Sequence, residues 1–243
     1  MKILAFDSSS KALSVAVVAD GILLGEVTLN LKKNHSTTLM TSIDFLMAQV
    51  GLEAKELDRI AVAQGPGSYT GLRLSATVGK TLAFSLNKEL VGLSSLLAIA
   101  NRVQDKNAYV LPIIDARRGN AYAALYKNGQ QIIADQHCNF SEFLADLSEK
   151  VSSFEQVIFT GETDNFVEAI QNAGFSEEQI ISDSLEKLPS AYEIAKIAEK
   201  LTPENVHAFV PNYLKKVEAE EKWLESHEKA ENTPDDYVQD PEE

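Results

Sequence analysis

The chain has 243 residues, of which 44% are hydrophobic and 24% are charged, and its formal net charge is −14. This composition is typical of a globular protein and excludes a disordered or fibrous one. The acidic balance argues against a chain that grips a nucleic-acid phosphate backbone by itself. The single cysteine, Cys138, excludes an internal disulfide. With no export signal and no apolar run of membrane length, we expect a cytoplasmic protein that contacts no membrane.

The first hundred residues predict a strand, a hairpin and then alternating helices and strands. Residues 2–6 form a short apolar run that ends at Asp7, and the runs 14–18 and 23–28 flank Asp20-Gly21, a pair that favours a two-residue hairpin. The next predicted elements are a helix over 36–50 capped by Ser36 and closed by Gly51, a strand over 60–63, a helix over 70–86, a strand over 90–93, and a helix that starts at Ser94 or Ser95 and ends near Val103.

The second half repeats this order from Tyr109. A strand over 109–114 ends in Asp115, and two further runs flank the turn Asn128-Gly129. The aspartate precedes the turn glycine by 14 residues in both halves (7 and 21, 115 and 129). Repetition of both order and spacing predicts an internal duplication. The later predicted elements are strands over 121–126, 131–134 and 157–160, and helices over 140–150, over 165–173 and from the cap Ser190 to Leu201.

The duplication predicts an α/β fold of two lobes, each a mixed sheet flanked by helices. We assign residues 1–104 to the first lobe and 105–216 to a second, smaller lobe, with compact structure ending at Pro211. Residues 217–243 carry eleven acids and two lysines, a charge of −9, and we expect a flexible acidic tail there.

A glycine-rich segment, residues 65–73, joins a predicted strand to a predicted helix. Two interpretations stay open: the unpaired N–H groups of the helix start could hold an anion, or the glycines could serve close packing in a tight turn. Asp7 and Asp115, each at a strand end, could likewise orient a Mg²⁺-bound phosphate or cap the following turn. Neither is followed by glycine, which argues against tight phosphate binding. The candidate anion or nucleotide contacts are Asp7, Ser8, Ser9, Gly67 and Arg117.

The helix over 70–86 carries a stripe of small residues. Gly71, Ser75, Gly79 and Ala83 recur at every fourth position and form a groove along one face. Such a groove lets another backbone approach closely, either that of the chain's own sheet or that of a helix in a second chain. The sequence alone leaves both possibilities open.

The chain lacks the residues of a self-sufficient enzyme. Each of its histidines stands without a partner three to five residues away, so no paired metal ligands are present, and no nucleophile elbow occurs. The four are His35, His137, His207 and His227.

The sequence resembles the TsaB family, also called YeaZ, bacterial proteins of tRNA modification. The segments that carry the resemblance, which spans residues 3–214, are 3–9, His35-Ser36, 65–73, 93–96, 115–119 and 211–214. The resemblance implies two actin-like lobes, a duplicated ribonuclease H-like arrangement shared with sugar kinases. It also implies a non-catalytic scaffold in the formation of N6-threonylcarbamoyladenosine in tRNAs that read codons beginning with A.

The partners that the resemblance implies are a metal-bearing transferase, TsaD, and an ATPase, TsaE. It also implies that the chain forms a homodimer in the absence of a partner and contacts tRNA only through the complex. TsaD holds its metal with a His-x-x-x-His pair, whereas this chain has His35 followed by Leu39. The resemblance therefore implies no cofactor of the chain's own and leaves open a nucleotide at the partner junction. It places the partner contact on the helices over 36–50 and 70–86, which favours a partner for the small-residue groove. The predicted interface residues are Leu39, Ile43, Met47, Gly71, Ser75, Gly79 and Ala83.

Two other functions would require sequence features of their own. An ATP-dependent phosphotransferase of the sugar- or acetate-kinase type would need glycine-bearing phosphate turns after Asp7 and Asp115. A metallopeptidase would need paired metal ligands. The sequence supplies neither feature, so we expect the scaffold.

Overall fold

The computed structural model describes residues 1–31, 34–147 and 156–215, and its strands form two sheets. The predicted tail over 217–243 lies outside the described residues, as does the end of the predicted helix over 140–150. Within the described part of the chain, no helix is both long and apolar enough to cross a membrane.

The first sheet has five strands in the order β3-β2-β1-β4-β5. Its central strand, β1, pairs antiparallel with β2 and parallel with β4. The hairpin between β2 and β3 turns at Asp20-Gly21, where both residues have positive φ, as the sequence predicted. The elements of this half are β1 (Lys2–Asp7), β2 (Leu13–Ala19), β3 (Ile22–Leu29), α1 (His35–Val50), β4 (Arg59–Gly65), α2 (Tyr69–Leu86), β5 (Glu89–Ser94) and α3 (Ser95–Ala100).

The second sheet repeats this topology with four strands in the order β8-β7-β6-β9. Its central strand, β6, again pairs antiparallel with the next strand and parallel with a later one. The remaining elements are β6 (Tyr109–Asp115), β7 (Asn120–Lys127), β8 (Gln130–Asn139), α4 (Phe140–Leu147), β9 (Val157–Gly161), α5 (Val167–Asn172) and α6 (Ala191–Ala198). The shared strand order confirms the duplication and the two-lobed, actin-like α/β class.

Helices cover both faces of the first sheet, because alternate residues of β1 point to opposite sides. Leu4 and Phe6 pack with buried residues of α1 and α2, whereas Ile3 and Ala5 pack with buried residues of α6. The first lobe is therefore a three-layer sandwich, and α1 and α2 lie side by side on one of its outer faces.

The chain returns to the first lobe after the second sheet. Glu26 of β3 accepts hydrogen bonds at Oε1 from Ser190 Oγ (2.8 Å) and the Tyr192 amide (3.3 Å), which fixes the start of α6. The Asn212 amide donates to the carbonyl of Gln64 (2.8 Å). The two sheets do separate at residue 104, but α6 and residues 204–213 pack on the first sheet. This packing differs from the assignment of residues 105–216 to the second lobe, because apolar residues of α6 cover one face of the first sheet.

The cap of α1 and the end of α3 differ from the sequence prediction. Asn34, not Ser36, caps α1, since its side chain accepts a hydrogen bond from the Ser36 amide (3.1 Å). Ser94 caps α3, which ends at Ala100 rather than near Val103. The caps Gly51 and Ser190 are as predicted. Residues of α3 pack against β6 and β7, so this helix joins the two lobes.

Candidate functional site

The segment that follows β1 packs tightly on the start of α2. Ser8 Oγ donates to the carbonyl of Gly71 (2.9 Å) and lies 2.7 Å from Ser75 Oγ, while the Ser68 amide donates to the carbonyl of Ser9 (2.6 Å). A β-carbon at residue 71 would overlap the carbonyl oxygen of Ser8. Glycine is needed here for close approach of two backbones, which supports the tight-turn interpretation of residues 65–73.

Asp7 ends β1 beneath this contact and is fully buried. Its Oδ1 accepts a hydrogen bond from the Ser9 amide (2.7 Å), whereas Oδ2 has no hydrogen-bond partner among the described residues. Burial raises the pKa of this carboxyl from 3.8 to about 6. The structure thus brings Asp7, Ser8, Ser9 and Gly67 together as predicted, but all four are buried and packed on the first lobe itself.

Arg117, the fifth predicted anion contact, lies in the other lobe and is exposed. It follows Asp115, whose Oδ1 accepts from the Arg117 amide (2.7 Å) and whose Oδ2 accepts from Asn165 Nδ2 (2.8 Å). Glu162 bridges the lobes, because it accepts hydrogen bonds from the amides of Asp115 (2.9 Å) and Lys11 (3.1 Å). Asp115 therefore caps the turn after β6 and does not join Asp7 in one open site.

The predicted interface residues of α1 and α2 point inward. Gly79 lies against the first sheet, where an added β-carbon would come within 2.8 Å of Val62 Cγ1. This burial contradicts their assignment to a partner contact, since the small-residue groove receives the chain's own sheet. The seven residues, all buried, are Leu39, Ile43, Met47, Gly71, Ser75, Gly79 and Ala83.

The opposite faces of the same two helices form the surface that we call the outer helical face, defined by the exposed residues of α1 and α2. It is poor in charge: the 16 residues of α1 contain one charged side chain, Asp44, and the 18 residues of α2 contain two, Arg73 and Lys80. Three large aromatic side chains stand on it: Phe45 (55% exposed), Phe84 (66% exposed) and Tyr69 (48% exposed), whose ring stacks on Tyr213. Sequence reasoning missed this face, although the scarcity of charge on both helices signals it.

A pocket of about 450 Å³ opens between the first turns of α1 and α2. His35 and Arg73 line it together with polar residues of both helix starts. His35 Nε2 lies 2.9 Å from the carbonyl oxygen of Ser10, so the ring ties α1 to the segment after β1.

The position four residues after His35 holds no second ligand. Leu39 is completely buried in the core of the first lobe. In the described part of the chain, no group of three or more His, Cys, Asp or Glu side chains could hold a metal ion.

Comparisons with known proteins agree with this architecture. A family model described as TsaD, tRNA N6-adenosine threonylcarbamoyltransferase, matches residues 23–223. The tRNA threonylcarbamoyladenosine biosynthesis protein TsaB of Bacillus subtilis is 35% identical over 230 residues, which cover 93% of this chain and 99% of that protein. The Haemophilus influenzae TsaB is 30% identical over 212 residues, covering 82% of this chain and 85% of its own length.

Among solved structures, YeaZ from Pseudomonas aeruginosa matches with a TM-score of 0.70 at 23% identity, covering 88% of this chain and 99% of that one, and so shares the fold. The match to the Bacillus subtilis protein, at 35% identity, spans nearly the whole of both chains. Together with the family-model match, it establishes the family of this chain. The chain belongs to the TsaB (YeaZ) family, within the group of sequences that the TsaD family model describes.

Proposed function

We propose that this chain takes part in the biosynthesis of tRNA threonylcarbamoyladenosine as a non-catalytic partner of a TsaD-type transferase, bound through the outer helical face. The names of its TsaB relatives give this process, tRNA threonylcarbamoyladenosine biosynthesis. The partner is a protein of the type whose family model matches this chain.

The observation that carries the proposal is the scarcity of charge on two long, adjacent surface helices. Charged residues make up 24% of the chain, yet α1 has only Asp44, and one of the two charges on α2 is already engaged: Lys80 Nζ donates to the carbonyls of His207 (3.0 Å) and Phe209 (2.9 Å). The centre of a protein interface is depleted of charge and enriched in aromatic residues. Phe45 and Phe84 are the aromatic anchors that such a surface supplies.

The non-catalytic role is supported by how this chain uses the positions where a catalytic relative would carry ligands. Leu39 fills the core where a second histidine would follow His35, and Asp7 is enclosed by its own lobe. Leu39 packs in the core of the first lobe, and both side chains are closed to a substrate. A TsaE-type ATPase as a second partner, a homodimer in the absence of the transferase and tRNA contact only within the complex belong to the same proposal.

The test is reconstitution with the TsaD-type transferase of the same organism. Wild-type protein should form a complex, and Phe45→Glu or Thr77→Glu should raise the Kd at least about 10-fold, because each buries a charge in an apolar contact. Both side chains are exposed, so the melting temperature of each variant alone should match the wild type.

Ile132→Glu is the matched control, since Ile132 is 46% exposed on β8 of the other lobe. It should leave the Kd unchanged. Absence of a complex with wild-type protein would refute the partnership itself. A wild-type Kd for both helix variants would refute only the assignment of the outer helical face.

A further inference from the structure

A row of stacked side chains fixes the place where the described part of the chain ends. Tyr213 stacks on Tyr69 with ring centroids 4.9 Å apart, and the guanidinium of Arg73 lies 5.4 Å from the centre of the Tyr69 ring. Tyr69 begins α2, and the described residues end at Lys215. The acidic tail, residues 217–243, therefore leaves the first lobe beside the first turn of α2, at one end of the outer helical face.

The pocket between the first turns of α1 and α2 opens at this same end. Its volume is about 450 Å³, and Thr70, Arg73 and Leu74 line it together with polar residues of both helix starts. The positive ends of two helix dipoles meet there, next to the Arg73 guanidinium, which forms no ion pair with a carboxylate of the described residues. Such a pocket favours an apolar group that is flanked by negative charge.

The acidic tail contains this combination of groups. Trp223, the one tryptophan of the chain, is flanked by Glu220, Glu221 and Glu225. The tail carries −9 of the net charge of −14, whereas α1 and α2 together carry one acidic and two basic side chains. The outer helical face is thus a part of this acidic protein that does not repel the tail, and its charge complements that of the tail where Arg73 lies.

The tail is also long enough and close enough to reach the pocket. Trp223 follows Lys215 by eight residues, which span up to about 28 Å when extended. Arg73 lies one turn beyond Tyr69, which is only about 6 Å along the helix axis. Because the tail is tethered beside the pocket, its effective concentration there is on the order of 1 mM, so a weak contact is enough to keep it bound.

We propose that the acidic tail docks on the outer helical face of its own chain, with the ring of Trp223 in the pocket and its flanking carboxylates beside Arg73. Tryptophan suits this role because its large ring gains more from such a contact than other side chains do. A docked tail competes with a transferase for the same face. That consequence rests on the proposed function, whereas the docking itself depends on this chain alone.

The test uses the intrinsic fluorescence of the full chain, to which Trp223 is the one tryptophan that contributes. When docked, Trp223 should emit at a shorter wavelength than in a synthetic peptide of residues 217–243, and acrylamide should quench it at least about 2-fold less. The emission should not depend on protein concentration, because docking within one chain is independent of it. A shift that grows with concentration would place the tail on a second copy and overturn the proposal.

Two variants test the pocket, Arg73→Glu and Thr70→Glu, each at an exposed position that lines it. Both add negative charge where the tail carboxylates should lie, so emission and quenching should become those of the free peptide while the melting temperature stays near that of the wild type. Lys200→Glu is the matched control, since Lys200 is exposed directly after α6, which packs on the opposite face of the first sheet from α1 and α2. It should leave both readouts unchanged.

Three further results would each overturn the proposal. Wild-type emission and quenching equal to those of the peptide would show that the tail stays in solvent. Docked values retained by both pocket variants would place Trp223 elsewhere, and an equal loss in the lysine variant would show an effect of charge without a site. Because no transferase is present in these measurements, none of these results bears on the partnership itself.

Discussion

The backbone of Gly79 lies against the side chain of Val62, so that a β-carbon at residue 79 would come within 2.8 Å of Val62 Cγ1 and 3.4 Å of Leu90 Cδ1. The absence of a side chain at this position therefore sets how closely α2 approaches the first sheet. A glycine inside a helix costs about 1 kcal/mol relative to alanine, and this packing contact is what offsets it.

Gly79→Leu should destabilise the monomer itself. The added side chain would enter a filled core, and overpacking of this kind costs about 1–3 kcal/mol or more, beyond the helix propensity that leucine restores. Urea unfolding should show a lower midpoint. If residue 79 lay at a partner interface instead, the same variant would give a folded monomer that fails to pair.

Thr77→Leu is the control for that experiment, because Thr77 is exposed on the same helix. Its free energy of unfolding should stay within about 0.5 kcal/mol of the wild-type value. If Gly79→Leu also unfolds at the wild-type midpoint, α2 does not pack on the sheet through this glycine.

Features with a local chemical cause were predictable from the sequence. Asp20-Gly21 and Asn128-Gly129 specify their turns because left-handed backbone at both positions restricts the residues that fit. The same holds for Gly51 at the end of α1 and Ser190 at the start of α6. The duplicated order of strands followed from the spacing of such signals.

Features set by long-range packing were not predictable from one sequence. A helix with few charged residues, such as α2, does not reveal which face meets the sheet until Val62 and Leu90 are placed beside Gly79. Likewise, the amphipathic pattern of α6 shows that it packs against a sheet but not against which one. The buried face of α2 and the sheet that α6 covers both depend on this long-range packing.

Cys138 should react slowly with alkylating reagents. Its side chain is partly buried, its thiol donates to the carbonyl of Ala121 (3.6 Å), and burial raises the thiol pKa from 9.0 to about 11. The reactive thiolate is then about 100-fold scarcer near pH 8 than for an ordinary cysteine. Intact-mass measurement with iodoacetamide should show slow labelling of native protein and rapid labelling in urea. Equal rates would show that the thiol is not protected.

Asp7 should make the stability of the protein fall as the pH rises. Because its folded pKa is raised from 3.8 to about 6, the native state binds more protons than the unfolded state between these values. Stability contributed by this group is complete below about pH 4, and about 3 kcal/mol of it is lost by pH 6 and above.

Asp7→Asn mimics the protonated acid at every pH, since the amide oxygen can still accept the hydrogen bond from the Ser9 amide. The free energy of unfolding of the variant minus that of the wild type should be near zero at about pH 4 and rise to about 3 kcal/mol above pH 6. Asp44→Asn removes an exposed carboxylate of α1. Its free energy of unfolding, minus that of the wild type, should not rise between about pH 4 and pH 6. A flat difference for Asp7→Asn would mean that the carboxylate of Asp7 is solvated or paired in the folded protein, contrary to its enclosure beneath Ser8 and Ser9.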